Sequence, residues 1–416
     1  MLSQAETPAQ VSGISDEEVR RWREETPGCA FRAHLNNAGA ALPPRPVLDT
    51  VVDYLRREAE IGGYEAEDEA RERVRAVYGQ MGRLLGCDAR NVAIVENATV
   101  AVSQALSAFD FAPGDVLVTT RHDYSSNQVM YLALARRRGV EVRWADELPE
   151  GGVDPDSLRR LASGPRCRLV SLTWVPTNSG LVQEAEAVGE ICEELGVPYL
   201  VDGCQVVGQM PVDLARLRCD FFGGTARKFL RGPRGIGFLY VADRMLERGA
   251  YPLGLDMHGA TLQGYAGFDL SPDARRFENW EFSYALVLGL GEAARYALEL
   301  GIERVGGRAI ENAAWIRERL RETPGIRVAD RGRRLCAIVT AEVIRHDAAD
   351  VVQRLRGCGI NVHVSNPEDG DGGHARPVVR ISPHYYNTRK ELERTVSEIA
   401  EIAGRVSGRE GHSGER

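Results

Sequence analysis

This 416-residue sequence predicts an α/β fold, with a mostly parallel central sheet flanked by helices and a smaller C-terminal α+β domain. Between Asn91 and Val241, short apolar runs alternate with stretches of helical periodicity, the pattern of strands joined by helical crossovers. A long apolar helical stretch, Ala285 to Leu300, closes that region, and the order of helices and strands changes after it. These changes set the expected organisation: an N-terminal arm and helix over residues 1–32, a large domain over 33–290, a small domain over 291–404 and a tail over 405–416.

In chain order, Ile14 to Trp22 starts a helix, with Ser15 as N-cap and Glu18 at the capping-box position. His34-Leu-Asn-Asn-Ala-Gly-Ala-Ala is a strand breaking into a small-residue loop. Pro44 to Leu85 is helical with an interruption at Gly62-Gly63, and Asn91 to Val95 is a strand. Asn97-Ala-Thr-Val-Ala-Val-Ser opens a helix. Thr99 lies in its first turn, where free backbone N–H groups and the helix dipole favour a phosphate. Capping of a core helix by Asn97 would use the same helix end. Strands follow at Val116–Thr120, Val140–Trp144, Leu169–Trp174, Tyr199–Val201, Asp220–Phe222 and Ile236–Val241, with helices at Ser125–Arg138 and Glu184–Leu195. The C-terminal part reads as helices over Ile302–Glu322, Ala348–Cys358 and Lys390–Ile402, with strands near Ile326 and at Cys336–Thr340, Ile360–Val364 and Val378–Ile381.

Composition excludes several function classes. Hydrophobic residues make up 43%, enough to bury a large core and a smaller one. A net charge of -8 argues against a nucleic-acid or anionic-membrane partner. No run approaches the roughly 18 apolar residues of a membrane span, and the N-terminus lacks a signal-peptide pattern, so a cytoplasmic location is expected. The eight cysteines contain no C-x-x-C, so neither a zinc site nor a disulfide framework is expected. His363, Asp369, Asp371 and His374 lie among glycines without fixed helical spacing and read as a solvated loop; no metal site is expected.

The chemistry concentrates in Phe221–Tyr240. Lys228 is the only lysine in the first 300 residues of an arginine-rich chain. Arginine stays charged, whereas lysine can lose its proton and form a Schiff base with an aldehyde. Upstream, a buried-strand pattern ends in Asp202, and the carboxyl ends of parallel strands are where α/β sheets bind ligands. A lysine and an acid delivered by neighbouring strand ends match the needs of pyridoxal phosphate (PLP), whose aldehyde requires an amine and whose ring nitrogen requires an anion.

The motif D-G-x-Q at Asp202 to Gln205, followed by T-x-R-K-F-L-x-G-P-R-G-x-G at Thr225 to Gly237, resembles the class V aminotransferase family. That family includes cysteine desulfurases, isopenicillin N epimerase-like proteins and ergothioneine-type C–S lyases. The likeness runs from about Leu35 to Ile402 and implies a fold-type I PLP enzyme and a homodimer, with an amino acid as its small-molecule substrate. It implies that Lys228 carries PLP and moves the proton at substrate Cα, that Asp202 pairs with the ring nitrogen and that Gln205 meets the ring oxygen. Ala98, Thr99, Thr225 and Arg227 would hold the phosphate. Tyr124 falls where desulfurases place a ring-stacked histidine; tyrosine stacks as well but is a poorer proton donor near neutral pH. The alternative for Tyr124 is a core tyrosine.

For the substrate, Arg380 matches the family's carboxylate-binding arginine, and a bidentate clamp would also orient the Cα–H bond. Ala38 and Gly39, in the N-terminal loop, and Trp174 are further candidates. Trp280 stands where relatives lend a small Gly-Thr pair to the neighbouring subunit, and would line the pocket instead. Desulfurases carry a nucleophilic cysteine in a mobile loop; the corresponding stretch here, Val364 to Arg376, has none. Without it three outcomes stay open: C–S lyase β-elimination, epimerisation and transamination. The Arg-Lys-Phe-Leu and Arg-Phe-Glu-x-Trp-Glu variants most resemble the lyase branch, which is the expected reaction, and a non-catalytic binding protein is the alternative of another class.

Overall fold

The computed structural model describes residues 13–366 and 376–404; the glycine-rich part of the 364–376 loop, with Asp369, Asp371 and His374, and both chain ends lie outside the described residues. The first helix spans Asp16–Glu24 and begins with the expected capping box, Ser15 Oγ accepting from Glu18 N while the Glu18 carboxylate accepts from Ser15 N. Strand β1 (Ala33–His34) follows, then helices Arg45–Ile61 and Gly63–Leu85, split at Gly62, whose φ of 102° no β-carbon-bearing residue adopts easily.

The next strands are β2 (Val92–Val95), β3 (Val116–Thr120), β4 (Glu141–Ala145), β5 (Cys167–Thr173), β6 (Tyr199–Asp202), β7 (Phe221–Thr225) and β8 (Gly237–Val241). They form one seven-stranded sheet in the order β2-β8-β7-β6-β5-β3-β4. The neighbours from β7 through β4 are parallel, and β8 alone runs against both β7 and β2. Beside β3 the order turns, since β4 lies on one side of it and the later β5 on the other. Ligands in such sheets bind at this kind of turn, outside the carboxyl ends of the strands. Helices Ala98–Ser107, Ser125–Arg138, Pro155–Ala162 and Ala185–Leu195 link these strands.

After the sheet, β9 (Ala260–Gln263) and β10 (Gly267–Leu270) make an exposed antiparallel hairpin. The apolar helix Tyr284–Leu300 then packs on Arg45–Ile61 and Gly63–Leu85. Strands β11 (Ile326–Val328), β12 (Val339–Val343), β13 (Ile360–Asn361), β14 (His363–Ser365) and β15 (Val378–Ile381) follow, with helices Ile302–Arg321, Ala348–Gly357 and Arg389–Gly404. Four of these strands form an antiparallel sheet, β11-β12-β15-β14, while β13 pairs with β1 and ties the N-terminal segment to this part of the chain.

Strand readings of the C-terminal part differ from the sequence expectation: Ile360–Val364 divides into β13 and β14, which join different sheets. The strand read at Cys336–Thr340 begins only at Val339, because the Cys336 and Ile338 carbonyls accept from the Arg317 guanidinium rather than from a neighbouring strand. Among the described residues, no helix is long and apolar enough to cross a membrane, and no cluster of three or more His, Cys, Asp or Glu forms a metal site.

Candidate active site

A cavity of about 470 Å³ opens at the carboxyl ends of β3, β5, β6 and β7, a size usual for small-molecule sites. Ala98, Thr99, Tyr124, Asp202, Gln205, Thr225, Arg227 and Lys228 all line it. The fold explains why residues so far apart in sequence meet there. Asp202 ends β6 and Thr225 ends β7; Lys228 follows in a turn closed by Gly232 N–H donating to Ala226 O at 2.8 Å. On the other side stands the N-terminus of helix Ala98–Ser107, where Asn97 Oδ1 caps Val100 N at 3.0 Å. Gly237 allows that helix end to approach β8, since a β-carbon there would lie 2.9 Å from the Asn97 carbonyl carbon.

Lys228 is buried, and burial pushes its ammonium below the ordinary lysine range, with Arg227 pushing the same way against Cys204 and Asp202. Its Nζ lies 5.9 Å from the centre of the Tyr124 ring. Arg227 is likewise pushed down by burial, and its guanidinium donates to Gly39 O. Asp202 Oδ1 accepts from Cys204 N at 2.9 Å and Oδ2 from Asn127 Nδ2 at 3.0 Å. Gln205 Nε2 donates to Ala38 O at 3.0 Å and Thr177 Oγ1 at 2.5 Å.

Other expected residues lie further out. Ala38 and Gly39 reach the site through their carbonyls, as just described. Arg380, on β15, is buried behind the cavity wall; its Nη1 donates to Thr177 O at 2.8 Å and its Nη2 to Asn36 Oδ1 at 3.2 Å. Trp174 lies one residue beyond β5 with its ring in the hydrophobic core rather than on the cavity wall. Trp280 is half exposed beside His258, with ring centroids 6.1 Å apart, and is also off the wall. The wall further includes Asn97, the expected helix cap, and Val100, Asn127, Thr173, Val175, Thr177 and Cys204, which the sequence does not single out. A signal for three of them existed: Thr173, Thr177 and Cys204 end or follow strands β5 and β6.

These residues fit PLP. A helix N-terminus, two hydroxyls, a guanidinium and a carboxylate line one cavity. With them is a lysine that burial pushes toward its neutral amine. Gln205 Oε1 is buried without a hydrogen-bond partner, an acceptor that a ligand hydroxyl would satisfy.

Comparison with known proteins agrees. The Aminotransferase class-V family model matches residues 33–395. A probable cysteine desulfurase from Methanothermobacter thermautotrophicus is 26% identical over 406 residues, covering 93% of this chain and 98% of its own. Isopenicillin N epimerase from Streptomyces clavuligerus is 28% identical over 392 residues, 90% of each chain. Among solved structures, an apo cysteine desulfurase from Thermococcus onnurineus NA1 superposes with a TM-score of 0.85 at 21% identity, covering 94% of this chain and 99% of that one. The chain belongs to the aminotransferase class-V family and is a PLP-dependent enzyme of that fold.

Proposed function

We propose that this enzyme is a C–S lyase, eliminating the sulfur substituent from Cβ of a cysteine conjugate or sulfoxide, and that it works as a homodimer. The carrying observation is the lack of a sulfur acceptor. Residues 364–376 contain no cysteine, and the cysteine on the described cavity wall is Cys204. Burial first, and then Asp202, holds the Cys204 thiol well above its ordinary value, so it stays protonated and is a poor nucleophile. Cys358 ends helix Ala348–Gly357 with its Sγ 3.6 Å from Glu398 Oε2, away from the cavity wall.

In this reading Ala98, Thr99, Thr225 and Arg227 would hold the phosphate of PLP, Asp202 its ring nitrogen and Gln205 its ring hydroxyl. Tyr124 would stack on the ring, and Lys228 would supply the amine for the aldehyde. When bound, PLP supplies an electron sink that stabilises negative charge at substrate Cα. Lys228, pushed toward its neutral amine, takes the Cα proton. Arg380, whose guanidinium meets Thr177 on the cavity wall, would hold the substrate carboxylate, with the Ala38–Gly39 loop beside it. The same reading assigns residues 33–290 to a cofactor-holding domain and 291–404 to a small domain that brings Arg380. Leu253, Met257, Leu262, Tyr265 and Phe268 expose apolar surface on and beside the β9–β10 hairpin, which a second copy would cover.

A second reading, epimerisation, is favoured by the likeness to isopenicillin N epimerase and by tyrosine rather than histidine at 124. Incubation with S-substituted cysteines and their sulfoxides, without a keto acid, separates the outcomes. Pyruvate and ammonia over many turnovers are expected. Cα–H exchange in D₂O without pyruvate would make the enzyme an epimerase, and activity only after adding a keto acid would make it a transaminase. A purified protein with no visible PLP absorbance would instead point to a non-catalytic binding protein.

A further inference from the structure

Asp123 is fully buried, immediately before Tyr124. Its carboxylate accepts from Thr119 Oγ1 at 2.8 Å, Tyr131 OH at 2.8 Å, Thr173 Oγ1 at 2.5 Å, Asn127 Nδ2 at 3.1 Å and the Tyr124 backbone N–H at 2.8 Å. Each of these donors is neutral, and three of the residues, Tyr124, Asn127 and Thr173, line the cavity. Asn127 Nδ2 also donates to Asp202 Oδ2 at 3.0 Å. The two N–H bonds of one amide are thus spent on two carboxylates. The flipped amide would set its oxygen against both, so the orientation of Asn127 is fixed.

Charge on either carboxyl of this pair is disfavoured by burial and by the other, and burial pushes the Asp123 carboxyl up. A polar knot needed only for packing would be served by a neutral residue at 123. The arrangement becomes favourable when a cation sits at its open end, on the far side of Asp202. Lys228 does not supply that charge, because burial pushes it toward neutrality. A protonated ring nitrogen would supply it.

We infer that Asp123 is a positioning residue for the ring-nitrogen end of the cofactor: through Asn127 it holds Asp202 in place toward the ring nitrogen. The inference rests on the PLP reading. Burial pushes the Asp123 carboxyl upward, while Thr173, Thr119, Asn127 and Tyr131 each oppose that push, as donors to an ionised group do. Removing any bridge member moves the balance at the ring nitrogen without touching the phosphate or the lysine.

The test loads wild type, Asp123→Asn, Asn127→Leu and Thr119→Val with PLP labelled with ¹⁵N in the ring. It records the ring-nitrogen chemical shift, the PLP dissociation constant and the thermal midpoint. Wild type should show the protonated-ring shift. Asp123→Asn and Asn127→Leu should move it toward the neutral-pyridine position and weaken PLP binding about tenfold, the effect of one hydrogen bond to a charged group. Thr119→Val removes a donor to Asp123 that has no link to Asp202, so its midpoint should fall while the ring shift stays. If Asp123→Asn does not fold, Asn127→Leu decides alone. A wild-type shift in folded Asn127→Leu would overturn the inference and leave the network a packing device. Wild type that takes up no PLP would overturn the cofactor reading and this inference with it.

Discussion

Two buried aspartates in this molecule meet the cost of burying a charge in opposite ways. Asp330 is closed by an opposite charge: Arg317 Nε donates to its Oδ2 at 2.7 Å, with both side chains sealed from solvent. Its Oδ1 takes Gly180 N at 3.0 Å and Thr340 Oγ1 at 2.6 Å, joining the loop after β5 to the antiparallel sheet. Asp123 is surrounded by neutral donors, one amide away from a second carboxylate on the cavity wall. A neutralised pair serves the fold alone; a carboxyl held by neutral donors passes its hold through Asn127 to the carboxylate that faces a ligand. Both look alike in a list of buried polar residues, and only their partners distinguish them.

The comparison can be broken at several strengths. Lys228→Ala should abolish turnover and visible cofactor absorbance, since the side chain's role is covalent, whereas Lys390→Ala should leave both unchanged; residual turnover in the first variant would place the chemistry elsewhere. Asp330→Ala strands a buried guanidinium and should cost about 3–5 kcal/mol in urea unfolding, with PLP affinity of the folded protein unchanged. An equal loss of cofactor affinity would erase the distinction between the two aspartates. Arg380→Ala should lower kcat/KM for an α-amino acid substrate by about 2–5 kcal/mol; normal kinetics would show the carboxylate held by other groups.

A third buried carboxylate gives a pH signature. Glu278 accepts from Ile94 N at 2.7 Å and Tyr78 OH at 3.0 Å, and burial raises it from 4.5 to about 8. The folded state therefore keeps a proton that the unfolded state releases across that window. Its contribution to stability falls by about 1.4 kcal/mol per pH unit as pH rises through the window, and is flat on either side. Glu278→Gln should remove that slope, which denaturant titrations at about pH 5 and about pH 7 would read. An unchanged slope would mean that Glu278 ionises normally.

Much of this was legible in the sequence because it depends on local signals. Ser15 and Glu18 mark a helix start, and Asn97 marks the helix end that faces the cavity. Asp202, Thr225 and Lys228 follow apolar runs short enough to be strands, so their place at one end of a parallel sheet could be anticipated. Side-chain direction was harder. Trp174 comes right after a strand, where a shift of one residue exchanges cavity for core, and its ring enters the core. Trp280 stands two residues beyond buried Glu278 and faces outward instead. Asp123 read as one polar residue in a loop, since its partners come from β3, β5 and the next helix. The reversed direction of β8 is a property of pairing, which no local run encodes.

The account stands most directly on the covalent attachment of the cofactor. The chain offers two lysine side chains, Lys228 and Lys390, so reduction of the PLP-loaded enzyme with borohydride, followed by peptide mapping, has few places to report. A stable pyridoxyl mark on the peptide containing Lys228 is expected. A mark on Lys390, or no mark on either lysine after PLP loading, would contradict the account.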